Sequence, residues 1–346
     1  MINNNRKMKE FTPITPNPIT GHQQNPPQDL LIVRPANQWM EEAARRPIPR
    51  MLFSEFWHQG ELCILFADTN LGKSILAVQI ADSISRGVPI EGFKLDAPKQ
   101  KVLYFDFEMS DKQFEKRYSI NYRHHYAFDD NFLRIEINPN CTDFERFETA
   151  LFSSIERAIA THNAKVLIID NLTYLKTQAT ETAKEALPLM KSLKELKMKH
   201  NLSILVVAHT PKRSLANPLT VNDLAGSKHL ANFIDSLFAI GQSYQDKTLR
   251  YLLQLKARAT EIIYNDRNIK LCRITQPHNF LGFEFIEYGV EREHLRQEDL
   301  NHDELDYHIT ALKLDEPQLS LGEIARRLNT NKMRVKRVLE RNDIPQ

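Results

Sequence analysis

Phe66-Ala67-Asp68-Thr69-Asn70-Leu71-Gly72-Lys73-Ser74 is the stretch that decides how this chain folds. Immediately upstream, Leu62-Cys63-Ile64-Leu65-Phe66 is short and uniformly apolar, the composition of a buried strand. Downstream, Leu76, Ala77, Ile80, Ala81 and Ile84 recur at helical spacing and end at Arg86-Gly87, a basic last turn followed by a glycine stop. Strand, loop, Gly-Lys-Ser and helix, in that order, are the setting of a phosphate-binding loop.

The end of the loop carries the physical case. Backbone N–H groups of Leu71, Gly72, Lys73 and Ser74 at a helix N-terminus offer unpaired donors and a favourable dipole to an anion. Lys73 then reaches the β- and γ-phosphates of ATP, and the Ser74 hydroxyl ligates Mg²⁺. The first glycine of G-x-x-x-x-G-K-[ST] is replaced by Ala67, a position that accepts a methyl group provided its φ stays negative. The nucleotide-binding candidates are therefore Ala67, Asp68, Thr69, Asn70, Leu71, Gly72, Lys73 and Ser74, the alternative being an accidental strand-to-helix turn.

The 346 residues leave room for one full α/β domain and appendages, and 42% hydrophobic with 26% charged residues is an ordinary globular balance. A net charge of +2 makes any nucleic-acid footprint a local matter. Cys63, Cys141 and Cys272 form no C-x-x-C pair, so neither a metal site nor a disulfide framework is implied, and a reducing, cytoplasmic location is expected. No apolar run approaches membrane-spanning length, so no membrane association is expected.

Residues 1–35 are rich in Asn, Gln, Pro and Thr and read as a disordered lead. A short helix is expected over Asn37 to Arg45, and the aromatics Phe53, Phe56 and Trp57 either pack on the core edge or stack on adenine. Beyond the first helix, Val102 to Asp106 leads into Phe107-Glu108-Met109-Ser110. Strand alternation puts Asp106 and Glu108 on one face and Glu108 at the strand's C-terminal end. There it either orients the water that attacks a γ-phosphate or caps the next helix. After a basic, aromatic stretch from Arg117 to Tyr126, a helix is expected over Phe144 to Ile159. Val166-Leu167-Ile168-Ile169-Asp170 is then a buried strand delivering Asp170 to the water shell of Mg²⁺.

A charged helix near Glu181 to His200 precedes Ser203 to Ala208, a strand that ends in His209, placed to contact the γ-phosphate or to serve as a local hydrogen-bond partner. The basic loop Pro211 to Pro218 either meets a nucleic-acid backbone or is merely solvated. Further strands are expected at Asp235 to Ile240, Tyr251 to Arg258, Ile269 to Arg273 and Phe283 to Tyr288. The pattern predicts a mostly parallel sheet with an antiparallel extension over residues 36–288.

Residues 289–302 are highly charged and read as a linker to a small all-α module at 303–346. There Ser320 and Glu323 form a capping box, and two short helices about Asn329-Thr330-Asn331 make a helix-turn-helix candidate. Its last helix turns Val335, Val338 and Leu339 inward and presents Lys332, Arg334, Lys336, Arg337 and Arg341 as candidate contacts to duplex DNA; a solvated helix in a protein-interaction module is the alternative.

With these residues laid out, the segment from Phe53 to Tyr288 resembles the RecA-like ATPases of hexameric replicative helicases, especially the plasmid RepA type and its DnaB-type relatives. Phe107-Glu108-Met109-Ser110 with Gln113 and Arg117 is similar to the segment that carries that family's catalytic Glu. His209 falls at its polar γ-phosphate contact, and Leu224-Ala225-Gly226-Ser227 with Asp235 matches a RepA-type stretch. Lys256-Ala257-Arg258 matches a Lys-x-Arg pattern by which a neighbouring subunit inserts cations at the nucleotide. The resemblance implies a RecA-like α/β fold, ATP and Mg²⁺ as cofactors, a homo-oligomer such as a hexamer, and single-stranded DNA in its ring. The alternatives are an ATP-dependent DNA-binding switch without unwinding and a KaiC-like signalling ATPase.

Overall fold

The computed structural model describes residues 31–140, 147–171, 183–210, 213–224, 227–296, 300–342 and 344. Residues up to Ile48 form a unit of their own. Its helix α1 (Ala36–Ala44) buries none of its residues, and its flank is held by an Arg34–Glu42 ion pair, with the Arg34 guanidinium over the Trp39 ring.

From Pro49 onward the chain forms a second unit. It begins with β1 (Met51–Phe53), β2 (Trp57–His58), β3 (Leu62–Ala67), α2 (Lys73–Arg86), β4 (Val102–Asp106), α3 (Asp111–Arg117), β5 (Ser119–Ile120), β6 (His124–His125) and β7 (Phe132–Ile135). It continues through α4 (Phe147–His162), β8 (Val166–Asp170), α5 (Ala183–His200), β9 (Ser203–His209), α6 (Ser227–Phe233), β10 (Ser236–Gln242), β11 (Leu249–Lys256), β12 (Ile269–Thr275) and β13 (Gly282–Gly289). Three helices follow: α7 (Leu300–Asp315), α8 (Leu321–Arg327) and α9 (Lys332–Arg341).

The main sheet has nine strands in the order β13-β12-β11-β10-β3-β9-β8-β4-β7. Pairing is parallel from β10 to β7 and antiparallel from β10 to β13, the mostly parallel RecA-like architecture expected from the sequence. The central strands are apolar throughout because both faces are covered. Alternation sorts their side chains: Cys63, Leu65 and Ala67 join α2 in one core, while Leu62, Ile64 and Phe66 face residues of α4, α5 and α6 in the other. Burial of each of Leu76, Ile80 and Ile84 on α2 contributes about 1.5–3 kcal/mol. At the end of α2, Gly87 adopts φ 69°, and its N–H returns to the carbonyls of Ile84 and Ser83.

Of the two readings of Phe53, Phe56 and Trp57, core packing holds: they are at most 1% exposed and pack with Phe93 and Phe238, so no ring face is left for adenine. Other expectations are corrected. The first helix, expected over Asn37 to Arg45, is Ala36–Ala44. β7 has no counterpart among the expected strands: Phe132–Ile135 adds a parallel edge strand beside β4. Residues 289–302 are not all linker, because Glu291–His294 is a 3₁₀ turn held to the domain. The Glu291 carboxylate accepts from Leu219 N at 2.8 Å and Tyr251 Oη at 3.1 Å, and the His294 ring lies 3.0 Å from Ser243 Oγ. Residues 1–30, 141–146, 181–182, Pro211, Lys212, Ala225 and Gly226, on which other expectations fall, lie outside the described residues.

The C-terminal helices share their own small core of Ile309, Ile324, Ala325, Val335, Val338 and Leu339. Ser320 caps α8 by accepting from Glu323 N, and Asn331 caps α9 by accepting from Arg334 N at 2.8 Å. Among the described residues no helix is long and apolar enough to cross a membrane.

Candidate active site

Sheet order explains why residues far apart in sequence meet. Strands β3, β9, β8 and β4 are neighbours and parallel, so their C-terminal ends present the Ala67 loop, His209, Asp170-Asn171 and Asp106-Glu108 side by side. Ala67 ends β3, pairs with His209 and is fully buried; it is not among the positive-φ residues, so the missing first glycine costs no strain. The loop turns through Asn70 at φ 62° and Gly72 at φ 95°, where α2 begins. A Cβ on Gly72 would also approach Ile274 Cδ1 within 2.6 Å, so close packing and backbone conformation both favour glycine there.

Lys73 lies in the first turn of α2 and is buried, donating to Ala67 O at 2.9 Å and Asp68 O at 2.8 Å. Burial pulls its pKa down, and the charges of Asp170, Glu108 and Asp68 partly restore it. Thr210, just past β9, braces the loop through its N–H to Ala67 O at 3.2 Å and its hydroxyl to Asp68 Oδ1 at 3.0 Å. Thr69 and Asn70 are exposed at the loop crest, while Leu71 is buried beneath it.

Asp170 is 1% exposed, and Tyr104 Oη donates to its Oδ2 at 2.7 Å. Its other oxygen is buried without a hydrogen-bond partner. Burial pushes this carboxyl up to about 6, with the Ser74 and Tyr104 hydroxyls acting in the opposite direction. An orphaned buried carboxylate oxygen beside the Ser74 hydroxyl fits a hydrated Mg²⁺.

β4 ends at Asp106, so the strand alternation expected to carry Asp106 and Glu108 on one face stops there. Asp106 instead builds the bend after the strand: its Oδ1 accepts from Met109 N at 2.9 Å, and its Oδ2 takes Arg134 Nε at 2.9 Å. Arg134, from β7, also donates to Met109 O at 2.9 Å and Asp111 Oδ1 at 2.8 Å, fixing the turn from which Glu108 projects. Capping of α3 belongs to Ser110 and Gln113, which form a reciprocal capping box, so Glu108 is not needed for it.

Glu108 reaches across the strand ends instead. The Asn171 side-chain amide donates to its Oε1, and His209 Nε2 lies 3.4 Å from that oxygen and 3.0 Å from Asn171 Nδ2. His209 first, then the Lys73 charge and the Asn171 amide, hold the Glu108 carboxyl below the usual range, while burial opposes them. A deprotonated carboxylate at the rim of a phosphate loop, oriented by two polar neighbours, has the makings of a general base. Asn171 and Arg134 carry no motif signal; only the sheet order brings them here.

The structure does not bring Lys256 or Arg258 to this cluster. β11 runs antiparallel to β10, so Lys256 lies across from Leu237, four residues along β11 from Leu252 at the level of Ala67. At a strand rise near 3.3 Å per residue that is about 13 Å toward the opposite end of the sheet. There Lys256 donates to Ala231 O, and Arg258 to Asp235 Oδ1 at 3.2 Å and Asn232 O at 3.4 Å. Asp235 also takes Lys197 Nζ at 2.7 Å and Leu62 N at 2.9 Å. Arg213, in the loop proposed to meet nucleic acid, is largely buried with its guanidinium 3.7 Å from Asp223.

The five α9 cations divide. Arg334 and Arg341 both close on Asp306 of α7, with shortest distances of 2.9 and 2.7 Å, so they tie the helices together. Lys336 lies 3.7 Å from Glu340, one turn along its own helix, and Lys332 and Arg337 are exposed.

No curated protein matches the chain. A family model described as AAA domain matches residues 29–214, more than half of the sequence and a span that holds Lys73, Ser74, Glu108, Asp170, Asn171 and His209 but neither Lys256 nor α7–α9. The match agrees with the phosphate loop on β3 and the acidic strand ends beside it, and the chain belongs to this family, as a P-loop ATPase domain.

Proposed function

We propose that this chain is an ATP-hydrolysing, DNA-associated RecA-like motor, a RepA-type helicase or helicase-like ATPase serving replication or mobilisation of a plasmid or similar element. The observation that carries the reading is the position of Glu108. It comes from the turn after β4, next to the strand that delivers Asp170, and faces His209 from the strand on the other side.

In this reading the loop N–H groups grip the phosphates, and Lys73 leaves the Ala67 and Asp68 carbonyls to meet them. Mg²⁺ at Ser74 and within the water shell of Asp170 would neutralise phosphate charge. Glu108 accepts the proton of the attacking water, and Asn171 with His209 keeps its carboxylate turned toward that water. Lys256 and Arg258, at the far end of the sheet from their own phosphate loop, act at a neighbour's nucleotide, so the complete site belongs to an oligomer such as a hexamer.

ATP turnover measured alone, with single-stranded DNA and with duplex DNA tests the proposal. Stimulation by single strands together with strand displacement supports the motor. The helices α7–α9 favour a second reading, an ATP-dependent switch on duplex DNA; slow turnover with sequence-specific duplex binding selects it. Turnover indifferent to any nucleic acid rejects both and leaves a protein-partnered, KaiC-like ATPase.

A further inference from the structure

The β5–β6 hairpin carries a run of exposed side chains, of which His125 is engaged by Glu115 and the Tyr122 ring has the Lys112 ammonium over it, 5.6 Å from its centroid. Ser119 pairs with His125 and Ile120 with His124, and Arg123 N closes the turn on Ile120 O at 3.0 Å. Asn121 and Tyr122 occupy that turn at φ 51° and 58°, a left-handed pair that suits Asn or Gly but is unfavourable for tyrosine. A turn selected for folding alone would place glycine there. Here a ring that is 49% exposed sits at the tip instead, beside Ile120 at 40%.

The exposure does not come from looseness, because the hairpin base is fixed to the β12–β13 connection. Leu281 N and Gln276 Nε2 donate to Arg117 O at 3.1 and 3.2 Å, and Asn279 Nδ2 donates to His124 O at 3.3 Å. The Tyr118 and Tyr126 rings pack on Phe280 with centroids 5.2 and 4.6 Å away.

Charge at the rim is unbalanced. Glu115 is engaged by Lys112 and by His125, and Asp111 by Arg134. Lys116 and Arg123 are exposed, and among the described residues neither has a carboxylate partner. An exposed ring next in sequence to Arg123, with the Lys112 ammonium over it and Lys116 exposed on the same short helix as Lys112, matches one ligand chemistry, an unpaired base carried on a phosphate backbone. Duplex DNA offers no free base face to a lone ring. A subunit contact would ask for a wider apolar centre than one tip flanked by Asn121 and His124.

We propose that this hairpin is a single-stranded DNA platform, on which Tyr122 stacks a base and Arg123 and Lys116 meet flanking phosphates; the proposal rests on the DNA-associated reading of the ATPase. It also supplies a route for stimulation. α3 is a single short helix joining the hairpin to the Ser110 cap, two residues from Glu108, and Arg117 Nη1 reaches back to Met109 Sδ at 2.9 Å. Strand engagement therefore bears on the segment that positions the base.

The experiment is anisotropy of a fluorescein-labelled oligo(dT) of about 20 nucleotides, with ATP turnover measured alongside, for the full chain and for Tyr122→Ala, Tyr122→Phe and Arg123→Ala. Tyr122→Ala should bind about tenfold more weakly while Tyr122→Phe keeps its affinity. Arg123→Ala should reduce the slope of log affinity against log salt by about 0.7. Basal turnover and melting temperature should hold in all three, and the alanine variants should lose DNA stimulation. If the unmodified chain binds oligo(dT) and both alanine variants bind as tightly, the platform is overturned while the DNA-associated reading stands. If the unmodified chain does not bind, the single-strand motor reading fails and takes the platform with it. A changed oligomeric state with unchanged DNA affinity assigns the hairpin to a subunit contact and also overturns the proposal.

Discussion

Asn171→Ala removes the amide that joins Glu108 to His209 without touching the phosphate grip. Asn171 is 2% exposed, donates to Glu108 Oε1 and lies 3.0 Å from His209 Nε2. Without it, the orienting contact Glu108 keeps among the described residues is the 3.4 Å approach of His209. A hydrogen bond to a charged group is worth about 1.5–3 kcal/mol, so kcat should fall about 10- to 100-fold. KM for ATP should move by less than about threefold, because Lys73 is held by the Ala67 and Asp68 carbonyls of the loop itself. The pH profile adds a second readout. Glu108 works as a carboxylate, and the same amide helps hold its pKa down, so the acid limb of kcat should shift to higher pH in the variant. Steady-state phosphate release over ATP concentration and pH measures both. A kcat within about twofold of the parent, with the acid limb in place, would refute the positioning role.

Asp170 gives a stability prediction of unusual sign. Its folded pKa of about 6 lies above the ordinary 3.8, so the stability this group contributes is full below the ordinary value and is lost as pH rises through about 6. Without nucleotide or Mg²⁺, Asp170→Asn should melt a few degrees higher at pH 7.5, relieved of a burden of roughly 2–3 kcal/mol, with much less gain at pH 4.5. The same variant should lose turnover, and calorimetry at the two pH values checks the difference. For the shared site, Arg258→Ala and Lys73→Ala are each expected to be inactive and to recover part of their turnover when mixed, since one interface then carries an intact loop and an intact finger. Turnover by a demonstrably monomeric, concentration-independent sample would remove the neighbour's Arg258 from the reaction.

The sequence made the strands and the phosphate loop legible because parallel, doubly covered strands are continuous apolar runs and α2 keeps a helical period to its glycine stop. Pattern failed where tertiary partners decide. Phe132–Ile135 is too short to read as a strand until β4 supplies its partner. Asp106 and Glu108 part company because Arg134 captures the first and the strand ends. An amphipathic reading turns Arg334 and Arg341 toward DNA, yet Asp306, about 30 residues earlier, claims both in a partly buried ion cluster. Glu291 and His294 look like linker charges until Tyr251 and Ser243 meet them.

Hydrolysis of pre-bound ATP by Glu108→Gln bears most directly on the site. The substitution keeps size and removes the base, while Lys73, Ser74 and Asp170 stay in place. The variant should therefore bind ATP as the parent does and hydrolyse it at least about a hundredfold more slowly in a single turnover. Hydrolysis at the parent rate would show that the proton goes elsewhere, and the assignment of Glu108 at the end of β4 would be wrong.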